Sequence, residues 1–444
     1  MTAMNIAVIG SGIAGLSAAW LLSKPQNSPL FEKGSRIGGH ANTFLAATAD
    51  GDVPVDTGFI VYNEQNYPNL SAFFRHLGVA TSSSSMGFAV SIEQGRREYS
   101  GRHLNGLFGQ RLNIVRPEHW QLVGDILRFF RDAQKQVASC SDDLTIAQFL
   151  DRFGYSRVFV EDHILPLSAA IWSTPSRGML QFPARSFIEF FANHSLLQVG
   201  NRPVWRTVLG GSREYVSRLV SSGGFQTQVD CPIQTVVRHA QGVEIFLQDG
   251  SRRSFDQVIL ACHADDALAL LADASDNERQ ILGSFRYTTN HAVLHTDPTF
   301  MPKRKHLWSS WNYLRGEQGP DALSLTYWMN RLQPLQTKTD FFVTLNPHRN
   351  FAAGSVHYRT HYEHPLFDAR AVAAQKRLWQ VQGTQRTWFA GAWMGYGFHE
   401  DGLQAGLEIA ERIGPLQRPW QVPQARSRIA HNWVEGDQRL WAAQ

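Results

Sequence analysis

Cysteine is scarce: there are three in 444 residues, Cys140, Cys231 and Cys262, and no two share a C-x-x-C spacing. That argues against a disulfide scaffold and a thiolate metal site, and makes a reducing cytosol the default expectation. There is no uncharged apolar run of about 18 residues, the length a membrane-spanning helix needs. The amino-terminal residues show no basic stretch leading into a cleavable apolar segment, so a secretory leader is not expected. Neither sign of charge is in large excess. Lys and Arg number 42 against 38 Asp and Glu, a net charge of +4, without the basic clusters of a nucleic-acid-binding surface. Glycine (36) and proline (19) are near ordinary usage, which excludes collagen-like and low-complexity chains. What is present is a chain 43% hydrophobic and 18% charged, able to bury a large core, with 13 tryptophans. The length suggests about three domains, or two with insertions.

The first forty residues carry most of the information. Asn5-Ile6-Ala7-Val8-Ile9 reads as a strand buried on both faces and runs into Gly10-Ser11-Gly12-Ile13-Ala14-Gly15. A helical pattern follows through Leu16, Ala19, Trp20 and Leu22. Strand, GxGxxG and helix together are the setting of a dinucleotide site. Gly10 permits the tight turn, Gly12 lets a pyrophosphate approach the backbone, and Gly15 lets helix and strand pack closely. The first helical amides, at Ile13 and Ala14, supply positive potential to the phosphates. Leu30-Phe31-Glu32 reads as the next strand, with Glu32 placed to bind ribose hydroxyls.

Beyond that strand, Glu32-Lys33-Gly34-Ser35-Arg36-Ile37-Gly38-Gly39-His40-Ala41-Asn42-Thr43 continues the glycine-rich pattern. On these residues the chain resembles the flavin amine-oxidoreductase superfamily, which includes monoamine and polyamine oxidases, protoporphyrinogen oxidase and carotenoid desaturases. The resemblance implies FAD, with Lys33, Arg36, Gly38, Gly39 and His40 extending the pyrophosphate site; none of the three cysteines falls in the carboxy-terminal flavin segment near residues 386–406, so the flavin is expected to be bound non-covalently. Val55-Asp56-Thr57-Gly58-Phe59 is similar to the family's next segment, which would pass Thr57 and Gly58 along the cofactor. Arg386-Thr387-Trp388-Phe389-Ala390-Gly391-Ala392 resembles the strand that ends at the ribityl phosphate. After it, Gly397-Phe398-His399-Glu400-Asp401-Gly402-Leu403 resembles the turn and helix facing the flavin pyrimidine, where amides favour the reduced, anionic flavin. The backbone near His399 is the expected contact to flavin O2. Cys231-Pro232-Ile233-Gln234-Thr235-Val236 precedes a hairpin, and the resemblance puts an adenine contact at the backbone of Val236. The matching blocks are residues 4–70, 205–265 and 384–413.

These blocks imply an α/β, Rossmann-like FAD-binding domain built from residues 1–80, 201–270 and 381–415. An α+β substrate domain, a mixed sheet with helices, would occupy 81–200 and 271–380, leaving 416–444 as a tail. Leu122, Ile126, Phe129, Phe130, Ala133 and Val137 make one apolar helical face, and Thr145-Ile146-Ala147-Gln148 is a capping-box start. Ser82 to Ser85 read as a loop, and Val90 to Tyr99 as a hairpin. Trp172, Trp308, Trp311, Tyr313, Tyr327 and Trp328, with Trp393 and Tyr396, suggest an aromatic pocket for a lipid or polyene. The same residues could instead cage an amine cation.

Amine oxidases of the resembled family place a lysine in a substrate-domain strand, bonded through water to flavin N5. Alignment puts His291 there, which shifts the expectation from oxidase to dehydrogenase or desaturase. The candidate catalytic residues are His291, Tyr396 and His399; no metal is expected. The segments GGHANTF, VDTGFIVYN, SSWNY, LTYWMN and GYGFHEDGLQAG resemble a bacterial subgroup associated with cyclopropane-fatty-acid-synthase-like enzymes. Its relatives include a desaturase acting on the way to furan fatty acids. The resemblance implies a fatty acyl chain, methylated or unsaturated, as substrate. A flavin amine oxidase and a non-redox isomerase or binding protein stay as alternatives. No nucleic-acid partner is expected. Trp420, Trp433 and Trp441, with Arg418, Arg426, Arg428 and Arg439, could lie at a phospholipid interface, giving a cytoplasmic protein with peripheral contact to the inner face of the membrane.

Overall fold

The structure is a computed structural model that describes residues 4–24, 27–101, 104–141, 143–172, 176–193, 196–197, 203–316, 323–422 and 429. Trp433, Trp441, Arg426, Arg428 and Arg439 lie outside the described residues, as does the side chain of Trp172.

The apolar run Ile6–Ile9 is buried at all four positions because helices and strands cover both of its faces. It is the middle strand of a five-stranded parallel sheet. The order is Thr227–Gln228, Leu30–Phe31, Ile6–Ile9, Gln257–Leu260 and Thr387–Phe389. The register pairs Ile6 with Gln257 and Leu260 with Phe389, so one sheet draws on segments far apart in the chain. Helix Ile13–Leu22 lies against it with all ten residues buried. A helix apolar all round needs a second cover. That cover is the last helix, His399–Ile413, which crosses it closely: a methyl group added at Gly406 would stand 2.1 Å from the carbonyl oxygen of Ala14. A three-stranded antiparallel sheet, Ile233–His239, Gly242–Leu247 and Arg252–Phe255, packs on the same core.

The second sheet has seven strands in the order Val356–Leu366, Arg286–His295, Phe342–Leu345, Leu323–Trp328, Trp311–Arg315, Phe88–Ile92 and Arg97–Ser100. Trp311–Arg315 pairs in parallel with Phe88–Ile92, which joins residues 88–100 to residues 286–366 in one mixed sheet. Helices Pro117–Ala138, Ile146–Arg152 and Ala184–Asn193 form a layer whose apolar faces share one core. Leu122, Ile126, Phe129, Ala133 and Val137 are buried there, and Phe130 is half-buried. The Thr145 hydroxyl accepts from Gln148 N (3.3 Å), a cap of the kind that contributes about 1 kcal/mol. Buried Asp162 pairs with Arg97 and with Arg315 (3.0 Å), tying this layer to the sheet.

One segment corrects the sequence reading. Thr81–Ser84 is a strand, paired with Trp205–Val208, rather than a loop. A run of serines offers no apolar alternation to mark it, and pairing there needs only the main chain. Among the described residues no helix is long and apolar enough to cross a membrane, and no group of three or more His, Cys, Asp or Glu could hold a metal ion.

Candidate cofactor cleft and active site

Two glycine turns meet at the end of the central strand. Gly10 has φ +106°, and a methyl group there would stand 2.6 Å from the carbonyl oxygen of Ala261. Gly12 is the opposite case: a methyl group would meet nothing within 4 Å, so its backbone faces open space. Gly12 is the N-cap of helix Ile13–Leu22 and provides no side-chain cap, leaving that space to the positive end of the helix. The second turn, Gly38-Gly39, touches the first, since a methyl group on Gly39 would lie 3.0 Å from Gly12 Cα. Its shape is held by Arg36, whose guanidinium donates to the carbonyls of Ala41 (2.7 Å), Gly39 (2.7 Å) and Ile37 (3.2 Å).

Glu32 joins these turns. Its Oε2 accepts from Ser11 N (3.1 Å) and Ser11 Oγ (2.5 Å), and its Oε1 from Gly34 N (2.8 Å). A carboxylate has about four acceptor sites, so this half-buried group keeps about one for a ribose hydroxyl. The neighbouring Lys33 points elsewhere, pairing with Asp266 (3.3 Å) at the surface. Val236 also falls away from the acid: its carbonyl accepts from Ala272 N (3.1 Å) in a bridge to the next segment. The chain beside Glu32 is five to six residues earlier, where Cys231 N donates to Glu32 O (2.9 Å) and Asp230 N to Gly34 O (3.0 Å).

The last helix completes the cleft. Gly402, one turn into it, packs on Ile13, where an added methyl would reach Ile13 Cγ2 at 2.8 Å and Ala392 Cβ at 3.6 Å. The starts of two helices, and the turn Gly391-Ala392, therefore share one corner. Leu403 lies wholly in the core. His399 stacks on Phe59 (ring centroids 3.8 Å apart), and its Nε2 lies 3.1 Å from the Tyr215 hydroxyl. Burial pushes its imidazole down to about 3, so it is neutral and held by packing. Glu400 acts away from the cleft, accepting from Asn69 N (3.0 Å), Asn69 Nδ2 (3.0 Å) and Leu70 N (2.8 Å) at the start of helix Pro68–His76.

The wall facing the Gly38-Gly39 turn comes from the seven-stranded sheet. His40 stacks on Tyr362 (4.9 Å) and meets His364 edge-on (5.3 Å). The Tyr362 hydroxyl receives a hydrogen bond from Asn42 Nδ2 (2.9 Å) and lies 2.7 Å from Thr57 Oγ1. A methyl group on Gly58 would strike His40 O at 2.2 Å and approach Tyr362 Cζ at 3.2 Å. Asn290, fully buried, donates from Nδ2 to His364 Nδ1 (3.0 Å) and accepts at Oδ1 from Asn346 Nδ2 (2.7 Å). Because Nδ1 of His364 accepts, assignment from this bond puts the proton of the neutral ring on Nε2. Burial lowers His364 to about 4 and holds His40 well below the ordinary histidine value.

His291 is not part of this wall. It is exposed and its backbone pairs with Asn346, while the side chain of the preceding Asn290 turns inward. Side chains of a strand alternate, so an alignment off by one residue selects the wrong face. The expected aromatic pocket is also dispersed. Trp308 and Trp328 pack with Phe342, Trp311 with Tyr327, Tyr313 among the helices, and Trp393 on Phe285 with its Nε1 donating to Cys262 O (3.1 Å). Tyr396 is the aromatic that stays near the last helix, half-buried against Phe190 (5.7 Å), which also stacks on Phe398 (5.4 Å). Asn290, Tyr362 and His364 escaped the sequence reading. The alternation of Tyr358, Tyr362 and His364 along one strand was the available signal.

Asp56 is the remaining buried carboxyl. It accepts from Thr43 Oγ1 (2.6 Å), Ser212 N (2.9 Å), Ser212 Oγ (2.7 Å) and Gln333 Nε2 (2.9 Å), tying the hairpin of strands Thr43–Thr48 and Gly51–Asp56 to the end of helix Met329–Leu332 and the start of helix Arg213–Gly223. Burial raises it to about 6.

Comparison with known proteins agrees with this geometry. The sequence pattern of the family described as flavin containing amine oxidoreductase matches residues 13–336. No curated protein matches the chain. Similar solved structures include a CLA-producing fatty acid isomerase from P. acnes, at 15% identity and TM-score 0.66, covering 92% of this chain and 98% of that one. Wild-type putrescine oxidase bound to putrescine is similar at 13% identity and TM-score 0.67, with the same coverage. Cyclohexylamine oxidase from Brevibacterium oxydans IH-35A is similar at 14% identity and TM-score 0.65, covering 93% and 99%. At these identities the three structures support the shared fold.

Proposed function

We propose, from the premise that the chain belongs to the flavin containing amine oxidoreductase family, that it dehydrogenates a hydrophobic substrate, such as a methylated or unsaturated fatty acyl chain. The family makes it an FAD oxidoreductase, and its residues fit that cofactor. Gly12 leaves room for a pyrophosphate beside two helix starts, Glu32 keeps an acceptor for a ribose hydroxyl, and the backbone at 230–231 runs beside Glu32 on the adenosine side. None of the three cysteines, Cys140, Cys231 and Cys262, lies in the segment from Gly391 to Leu403, which supports non-covalent attachment.

The observation that carries the substrate reading is the wall beside the Gly38-Gly39 turn. The inward position beside His291 holds the neutral amide of Asn290, bonded to a neutral His364, so neither 290 nor 291 supplies the lysine that the resemblance would put on this strand in an amine oxidase. Phe190, Tyr396 and Phe398 add an aromatic surface next to the last helix, suited to an apolar chain. The name of one structural neighbour, a fatty acid isomerase, supports an acyl substrate; the two amine oxidases support the alternative. When bound, FAD would supply the acceptor for a hydride from an activated C–H bond, the proton from the adjacent carbon leaving to solvent. His364, protonated at Nε2, donates a hydrogen bond that orients what lies against it. Tyr396 and Phe190 exclude water from the reacting bond.

The test is anaerobic. The flavoprotein is mixed with phospholipids carrying methylated or unsaturated chains, or with an amine panel, and the flavin band is followed. Bleaching by lipid, with the product lighter by two hydrogens, is expected, and it should slow about tenfold or more in His364→Asn with flavin still bound. Bleaching by an amine alone would replace this reading with the amine oxidase. A lipid product of unchanged mass would replace it with the isomerase.

A further inference from the structure

Large apolar side chains scattered singly over a surface need no explanation, but a cluster does. Leu45, Val204, Leu209 and Val229 are scattered. Leu112 (61% exposed), Ile114 (48%), Val115 (75%), Trp120 (53%) and Leu127 (52%) instead fall within sixteen residues of one another. They lie on two consecutive elements. The short 3-10 turn Arg111–Val115 leads into helix Pro117–Ala138, on which Trp120 and Leu127, seven residues apart, share a stripe opposite the buried one. Trp120 folds back over the turn, its Nε1 donating to Ile114 O (2.8 Å) and its ring packing on Phe108 (4.9 Å). The indole is thus held in place, and its outer half faces solvent.

The rim of this face is basic. Arg111 is exposed beside Phe108, whose carbonyl lies 3.4 Å from its Nη1. The segment Lys303-Arg304-Lys305-His306 is fastened alongside, His306 Nε2 lying 3.1 Å from Gly109 O and Leu307 packing on Gly109. Lys303, Lys305 and His306 are exposed. The acids nearby already have cationic partners: Glu93 pairs with Arg96 (2.5 Å), Glu98 with Arg304 (2.7 Å), Glu118 with Arg97 and Asp340 with Lys305 (4.0 Å), which leaves Arg111 and Lys303 as the unshared cations of the rim. Exposed apolar residues with an ordered tryptophan, ringed by cations, match the two terms of interfacial binding: apolar insertion at the acyl boundary and attraction to anionic head groups.

We propose that this face, the turn Arg111–Val115 with the outward stripe of helix Pro117–Ala138, docks the protein on the surface of an anionic phospholipid bilayer. Leu112, Ile114, Val115 and Trp120 enter the head-group region, and Arg111 and Lys303 bind phosphate above it. No residue of the cofactor cleft takes part, so the inference stands apart from the choice of substrate.

The experiment is co-sedimentation of the flavoprotein with vesicles of phosphatidylglycerol and phosphatidylcholine, and of phosphatidylcholine alone. Binding to the anionic vesicles is expected, weakening as salt rises. Val115→Glu/Trp120→Glu should reduce it about tenfold or more, and Arg111→Glu should reduce it on anionic vesicles only. Val229→Glu, a matched change at a scattered exposed site, should leave it unaltered. Flavin content and circular dichroism confirm that each variant is folded. Failure of the wild type to bind anionic vesicles, or equal binding by the double variant, would overturn the proposal. So would a dimer that the double variant dissociates without any vesicle binding, since the face would then join two copies of the chain.

Discussion

At the scale of single residues, the positions that could be read early are those where the backbone dictates the choice. Gly10 must adopt a positive φ against Ala261, and Glu32 sits where a strand ends beside the turn. Asp56 is different in kind, because its role comes from partners 13, 156 and 277 residues away, at Thr43, Ser212 and Gln333. Four hydrogen bonds support its charge, yet burial outweighs them and raises it to about 6. Folding then binds a proton between the unfolded value near 4 and the folded value near 6. Stability from this group is therefore greatest at low pH and falls as the pH rises through that window. Other carboxylates will oppose this trend in the wild type, so the difference from a variant is the informative quantity. Relative to the wild type, Asp56→Asn should gain about 2 kcal/mol between pH 4.5 and pH 7. Urea titrations at the two pH values would show it; an unchanged difference would mean that Asp56 titrates as an ordinary carboxyl.

Elements were legible where period and punctuation agree. The apolar stripe from Leu122 to Val137 and the Thr145–Gln148 cap fix their helices from local chemistry alone. What local chemistry does not carry is which face of a strand points inward. A one-residue slip exchanged His291 for Asn290, and the register shift between Ile233 and Thr235 lies just before Val236, away from the chain that flanks Glu32. Helix crossings raise a related question, which two glycines separate. Gly406 lies where the first and last helices touch, and a methyl group would meet the Ala14 carbonyl at 2.1 Å, so one backbone must move. Gly12 has an extended, unstrained conformation with open space above it. Gly406→Ala should therefore lose about 1–3 kcal/mol of stability with or without flavin. Gly12→Ala should match the wild-type stability of the flavin-free protein while binding FAD more weakly. Thermal unfolding of apo and flavin-loaded samples checks both; equal loss in the two apo variants would show that the helix contact is not the constraint.

For the whole molecule, the glycine motifs at either end of the chain indicated the fold, because they belong to one sheet. The aromatic residues misled, because their density says nothing about direction, and Trp308, Trp311, Tyr313 and Trp393 were divided among separate cores. The same long-range assembly has a dynamic consequence. Strands Ile6–Ile9, Gln257–Leu260 and Thr387–Phe389 are adjacent in one parallel sheet but about 250 and then about 130 residues apart in the chain, so their pairing is maintained against a large loop-closure entropy. A cofactor lying over the Gly10–Gly12 turn and the start of the last helix touches segments from both ends of the chain. Its binding energy acts on their opening as a unit, by about 2.7 kcal/mol at a hundredfold excess over Kd. Hydrogen exchange with and without FAD should show amide protection rising together in these three strands and in helix His399–Ile413. Helix Pro117–Ala138, anchored in the other core, should change little. Protection gained only around Ile6–Ile9 would mean that the two ends of the chain open independently, and that the cofactor is held by the amino-terminal turn without the last helix.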